Sequence, residues 1–249
     1  MNYNRIVKVF IAVLVMTIHL NGAVTDELNT AMEDGNSVFL LVTEPNASGV
    51  NHARDIIATA MNQVDGSVLI EMDRTVKQNA ALIAKYRVGT APVPLILVID
   101  ENGTVAGGNI AAKLTAEKLH EMVPTPKKSE VLKAIQAGNS VFLTISRDSM
   151  VDNTIAKNNC FAACQQLKGK SIIVQLDIDD RKEQLFLQQL KVDPTSVEPV
   201  TVVFNSKGKV TETFKDIVDV GALVQAATKV SGGCCPKGSG KSCDTKKTK

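Results

Sequence analysis

At 249 residues the chain is long enough for one large domain or two of ordinary size, each with its own core. Apolar residues make up 44% and charged residues 22% of it, with no Trp, a composition that excludes a fibrous or wholly disordered protein. The formal net charge of +2 is too small for broad attraction to nucleic acid.

The chain starts "MNYNRIVKVFIAVLVMTIHLNGAVTDE", where Arg5 and Lys8 precede an apolar run from Val9 to Ile18 and the small residues Gly22 and Ala23 follow. A run of about ten residues is too short to span a bilayer and suits the core of a signal peptide. Residues 1–23 are therefore expected to be a secretory signal cleaved near Ala23, placing the mature protein in the periplasm or outside the cell. The alternative is an uncleaved N-terminal anchor, because Asn21 sits where a small residue is preferred. No Cys follows the apolar run, which argues against a lipoprotein anchor.

Removing residues 1–23 takes away Arg5 and Lys8 and no acid, so the formal charge falls from +2 to 0. Residues 234–249 hold five Lys against one Asp, +4, which leaves −4 for the rest. A mildly acidic body with a basic end is poorly suited to broad nucleic-acid binding. The tail reads as a solvated, solubilising terminus, with an acidic partner or membrane surface as the alternative, and a protein partner is expected from the scaffold described below. Membrane contact is expected only through an uncleaved N-terminal segment or the basic tail, and nothing in the sequence sets an oligomeric state.

An internal repeat fixes the organisation. "DGNSVFLLV" (34–42) returns as "AGNSVFLTI" (137–145), "VLIEMD" (68–73) as "IIVQLD" (172–177), and "AKYRVGTAPVPLILVIDENGTV" (84–105) as "QQLKVDPTSVEPVTVVFNSKGKV" (188–210). The offset drifts only from 103 to 105, so two copies of one unit of about 100 residues make up the mature chain. In each copy a short helix ("TDELNTAMEDG", "KSEVLKAIQAG") leads into a β-branched strand, 38–42 or 141–145. A long helix follows ("NHARDIIATAMNQV", "DNTIAKNNCFAACQQL"), then a strand ending in Asp73 or Asp177 and a second helix with apolar three- and four-residue spacing. Two strands then flank a turn whose Gly103 or Gly208 suits a positive backbone angle, and an amphipathic helix closes the copy. The expected boundaries are 24–123, a linker 124–129 in which Pro124 and Pro126 stop the preceding helix, 130–230, and a tail 231–249.

The order β-α-β-α-β-β-α with a proline opening the third strand resembles the thioredoxin fold, most closely in "IAKYRVGTAPVPLILVIDENGTVAG". The resemblance spans residues 25–123 and 129–230. It implies an α/β protein of two tandem thioredoxin-like domains, each a central mixed sheet flanked by helices, followed by a flexible Cys/Lys-rich tail. It also implies that Pro94 and Pro199 stand at the family's cis-proline, beside a groove that binds extended peptide.

In catalytic members of that family a Cys-x-x-Cys follows the first strand at a helix N-terminus, where backbone N–H groups and the helix dipole stabilise a thiolate. Here the corresponding stretches are "TEPNASGVNH" and "SRDSMVDN", and neither contains Cys. Ordinary dithiol exchange is therefore not expected of either copy. His52, near that point, has only Ser48 close by in sequence and reads as a solvent-facing residue at a helix start, as does His120 in its own helix.

Cys160 and Cys164 lie in the middle of the second copy's long helix, on one face and far from the helix start. They read first as small buried hydrophobes, with a disulfide, to each other or to the tail, and a metal face as alternatives. The tail contributes Cys234, Cys235 and Cys243. Its "GSGKS" is not a phosphate loop: the glycine four residues upstream is missing, no strand precedes it and Pro236 removes a donor, so no nucleotide is expected. Cys234, Cys235 and Cys243 can converge on Zn or Cu as soft ligands, but C-C-x7-C identifies no metal, and disulfides compete in an oxidising compartment. The total of five cysteines is odd, leaving at least one free, metal-bound or intermolecular. The chain thus reads as an exported, non-catalytic binding or assembly module, with thiol-redox or metal handling by the tail cysteines as the alternative.

Overall fold

The computed structural model describes residues 24–229, so the expected signal segment and the expectations for Cys234, Cys235 and Cys243 lie outside the described residues. The first half runs α1 (Val24–Glu33), β1 (Ser37–Thr43), α2 (Val50–Met61), β2 (Ser67–Asp73), α3 (Ala80–Tyr86), β3 (Leu95–Ile99), β4 (Val105–Ile110) and α4 (Ala116–Met122). The second repeats it as α5 (Pro126–Gln136), β5 (Ser140–Ser146), α6 (Asn153–Gln166), β6 (Ser171–Asp177), α7 (Gln184–Gln189), β7 (Val200–Phe204), β8 (Val210–Lys215) and α8 (Val220–Thr228). Each half builds a four-stranded sheet, in the orders β2-β1-β3-β4 and β6-β5-β7-β8. The inner strands β1 and β5 run parallel to β2 and β6 and antiparallel to β3 and β7.

The sequence explains the layers. "SVFLLV" and "SVFLTI" are apolar at successive positions, as a strand covered on both faces must be. Leu40 and Val42 face α1 and α3, while Phe39 and Leu41 face α2 and α4. Leu143 and Ile145 face the α5 and α7 side and Phe142 the α6 and α8 side. Val105–Ile110 and Val210–Lys215 are outer strands, exposed or half-buried along their whole length, and an edge strand needs only one apolar face. Gly103 and Gly208 have φ of 76° and 75°, the left-handed geometry that the two turns require.

The linker is shorter than the sequence suggested. Pro126 is the first residue of α5 rather than a stop for α4, which ends at Met122 four residues earlier, so residues 126–129 are the first turn of a helix. Proline at this position loses no hydrogen bond, because the first N–H groups of a helix have no partner within it. Glu183 holds the junction: its buried carboxylate accepts from the Lys127 N–H at 2.9 Å and from the Thr125 hydroxyl. The carboxylate thereby caps α5 from a distant loop.

Candidate functional site

The loops at the C-terminal ends of β1 and β5, where the resemblance would place a dithiol, are both tied down. In the first domain the Arg74 guanidinium, just past β2, donates to Glu44 at the end of β1 (Nε–Oε2 2.8 Å) and to the carbonyl of Ala91 in the loop leading to Pro94. In the second domain the charges are exchanged. Arg147, at the end of β5, makes a two-pronged pair with Asp179 past β6, both contacts at 2.9 Å, and donates to the carbonyls of Ser196 (2.9 Å) and Pro194 (3.2 Å) ahead of Pro199. This contact raises the Arg147 pKa and lowers that of Asp179, the side-chain hydrogen bond being the main cause for both. Each tie joins the two parallel strand ends to the proline loop, and neither supplies a nucleophile.

Around the ties the domains differ. Gly49, with φ of 83°, stands before α2 without a side-chain cap, and a Cβ there would touch the Pro94 ring at 4.0 Å. The Val93–Pro94 bond is cis. Glu198–Pro199 is not, which corrects the expectation for Pro199: from Val192 to Pro199 the loop is one residue longer than from Val88 to Pro94, so the chain enters β7 along a different path. In the second domain Asn153, buried at the start of α6, instead accepts from the Ser146 hydroxyl at 2.7 Å and donates to the Arg147 carbonyl at 3.4 Å. His52 is exposed in the first turn of α2, as expected. His120 is partly buried and its Nδ1 has no hydrogen-bond partner, unlike the solvent-facing histidine expected, because the last turn of α4 packs back towards α2.

Among the described residues Cys160 and Cys164 form no disulfide; a bond to the tail lies outside those residues. Cys160 is buried with Phe142, Ala163 and Val203, with Leu223 of α8 on the far side. Burial pushes its pKa up to about 11. Burial raises the Cys164 pKa too. A raised pKa keeps a thiol protonated and a poor nucleophile. Among the described residues no cluster of three or more His, Cys, Asp or Glu side chains is placed to hold a metal, and no helix is long and apolar enough to cross a membrane.

The chain folds as two tandem thioredoxin-like domains. Solved structures with a similar arrangement include the N-terminal domain of Enterococcus faecalis alkylhydroperoxide reductase AhpF (13% identity, 81% of this chain, 96% of that chain, TM-score 0.29). The first two thioredoxin domains of Naumovozyma dairenensis Eps1p match at 10% identity over 84% of this chain and 96% of that one, with a TM-score of 0.28. Zinc-bound human ERp44 matches at 8% over 82% and 58%, with a TM-score of 0.34. Likenesses at these scores decide nothing about function, and the fold is carried by the strand order and directions. No protein-family model and no curated protein matches the chain.

The feature that sequence reading missed is on the surface. The buried Ala53, Ile57 and Ala60 of α2 correspond to the buried Ala156, Cys160 and Ala163 of α6 at an offset of 103. The same offset pairs exposed Ser48 with Val151, His52 with Ile155 and Ala58 with Phe161. The Ala111 N–H bonds the Pro94 carbonyl as the Asp216 N–H bonds that of Pro199, which pairs Ala112 with Ile217. The second domain's members are exposed by 90% (Val151), 46% (Ile155), 59% (Phe161) and 44% (Ile217). Val197, beside the Arg147 tie, is 78% exposed. An alignment of the two copies shows the exchange of types, but only the fold shows that these positions face water.

Proposed function

We propose that the protein is an exported, non-catalytic binding module whose second domain carries the partner surface. The observation behind this reading is the substitution of large apolar residues, at Val151, Ile155, Phe161 and Ile217, for small or polar ones at equivalent exposed points of the first domain. Isolated exposed apolar residues are ordinary, but a group confined to one of two copies marks an interaction site. The absence of cysteine from both strand-end loops and the high pKa of Cys160 leave the scaffold's thiol chemistry without an actor in the described residues.

The test is a photo-crosslinking residue placed at position 151 and, separately, at position 48, in protein recovered from the extracytoplasmic fraction. A single identified partner is expected from position 151, absent from position 48 and lost in Ile155→Ser/Ile217→Ser. Equal adducts at both positions, or none at 151, would remove the reading, as would catalysed disulfide reduction by the full chain in a dithiol-coupled assay.

A further inference from the structure

We infer that the apolar face along α6 takes a partner segment that combines apolar side chains with lysine or arginine. This rests on the binding reading above and adds the chemistry of the partner. Ile155 and Asn159 are four residues apart on one side of α6, and Val151 lies in the turn just ahead of the helix. The Asn159 amide donates to the Val218 carbonyl at 2.9 Å, which sets Ile217 beside that side of the helix. The surrounding segments are acidic: Asp148 and Asp152 lead into α6, and Asp216 and Asp219 join β8 to α8. Of the basic residues nearest to them in sequence, Arg147 is engaged by Asp179, which leaves Lys157 and Lys215. One carboxylate oxygen of Asp216 is buried without a hydrogen-bond partner.

At the equivalent points the first domain has Pro45, Gly49, Ala111 and the helix cap Thr115, all uncharged. Negative charge and apolar surface thus arrive together in one copy and are missing together from the other, as complementarity to a basic, apolar segment requires. Two copies meeting through this face would bring these carboxylates together, which disfavours self-association. The tail, "SGGCCPKGSGKSCDTKKTK", offers lysines but no large apolar side chain and matches only the charge.

The test uses the full chain and two labelled probes of equal length, a peptide of alternating Leu and Lys and one of alternating Leu and Glu, followed by fluorescence anisotropy at low and near-physiological salt. The Leu/Lys peptide is expected to bind at least about ten-fold more tightly, and to weaken as salt screens the carboxylates. Val151→Ser/Ile155→Ser and Asp148→Asn/Asp216→Asn are each expected to reduce its affinity by about ten-fold. Asp26→Asn/Glu27→Gln, on the acidic helix α1, is expected to leave it unchanged. Equal binding of the two peptides, no binding at low salt, or the same loss from the α1 variant would overturn the inference. So would a dimer that dissociates on Val151→Ser/Ile155→Ser, or a gain in affinity on deleting residues 231–249 that exposes the tail as the occupant. A crosslinked partner from position 151 whose contacting segment lacks Lys and Arg would remove the charge argument alone and leave the binding module standing.

Discussion

Ser48, His52, Ala58 and Ala112 of the first domain and Val151, Ile155, Phe161 and Ile217 of the second stand at matching points of one fold, all exposed, yet differ completely in character. Inside, the copies stay in step: Phe39 matches Phe142, Ala53 matches Ala156 and Ala60 matches Ala163, all buried. Close packing penalises a change of even one methylene in the core, whereas a surface residue is released from that constraint and can be replaced for a partner's sake. The ion pairs at the strand ends add a second lesson. Glu44 with Arg74 and Arg147 with Asp179 keep the bridge while exchanging which strand carries which charge, because what the loop ahead of the proline needs is a guanidinium donor, from either side.

Each of the following measurements bears on that comparison. The largest effect is expected from the matched core phenylalanines. Phe39→Ala and Phe142→Ala should each lose about 3–5 kcal/mol, with hydrogen exchange accelerated in the altered domain and not in the other. Exchange rising in both would mean that the two copies unfold as one unit and would break the comparison of separate domains.

Next come the buried polar residues before α3 and α7. Glu183→Ala leaves the Lys127 N–H and the Thr125 hydroxyl without their acceptor, for a loss of about 2–3 kcal/mol. The matching Asn79, whose side chain donates to the Asp73 carbonyl at 2.8 Å, should lose only about 1 kcal/mol as Ala. Urea titration of the two variants checks the order.

A smaller change is expected at the ties. Arg74→Ala should cost about 1 kcal/mol, since its pair with Glu44 is only partly exposed and surface pairs contribute little. Arg147→Ala should cost less, because Asp179 is the more exposed partner. The reversal Glu44→Arg/Arg74→Glu, which copies the second domain's polarity, should recover part of the Arg74→Ala loss. A reversal worse than either single change would show that the polarity matters.

The smallest effect is on acid stability. Hydrogen bonding to Arg147 lowers the Asp179 pKa, and hydrogen bonds from Thr195 lower that of Asp193. A carboxyl depressed in the folded state stabilises above its unfolded value of about 3.9, and that stability is lost as pH falls through the folded value. The second domain should therefore lose stability below about pH 4, and Arg147→Ala should flatten the part due to Asp179. Glu117 of the first domain, lowered by hydrogen bonds with its own backbone N–H and Thr115, should respond to acid in the same direction and be indifferent to Arg147→Ala. Thermal unfolding followed from pH 6 to pH 3 separates the two.

Much of this architecture was legible in the residues. The repeated "NSVFL", the proline before each third strand and the glycine in each hairpin turn fixed the order of elements, because apolar runs, proline and glycine restrict the backbone locally. The empty strand-end loops and the buried Cys160 were legible for the same reason, the first by simple absence of sulfur and the second by apolar neighbours in the matching helix. Pro126 misled, since a proline that can end one helix can equally begin the next, and the choice depends on a capping carboxylate, Glu183, 57 positions away.

By itself, then, the sequence determined that there are two copies, which strands are buried on both faces, and that neither copy has a dithiol at the usual place, since these follow from local composition and spacing. Only the tertiary structure decided that Pro94 is cis and Pro199 is not, that each proline loop hangs from a guanidinium tie, and that Val151, Ile155 and Ile217 are exposed. Those outcomes depend on groups far apart in the chain being brought within a few ångströms of each other. No window of neighbouring residues contains that information.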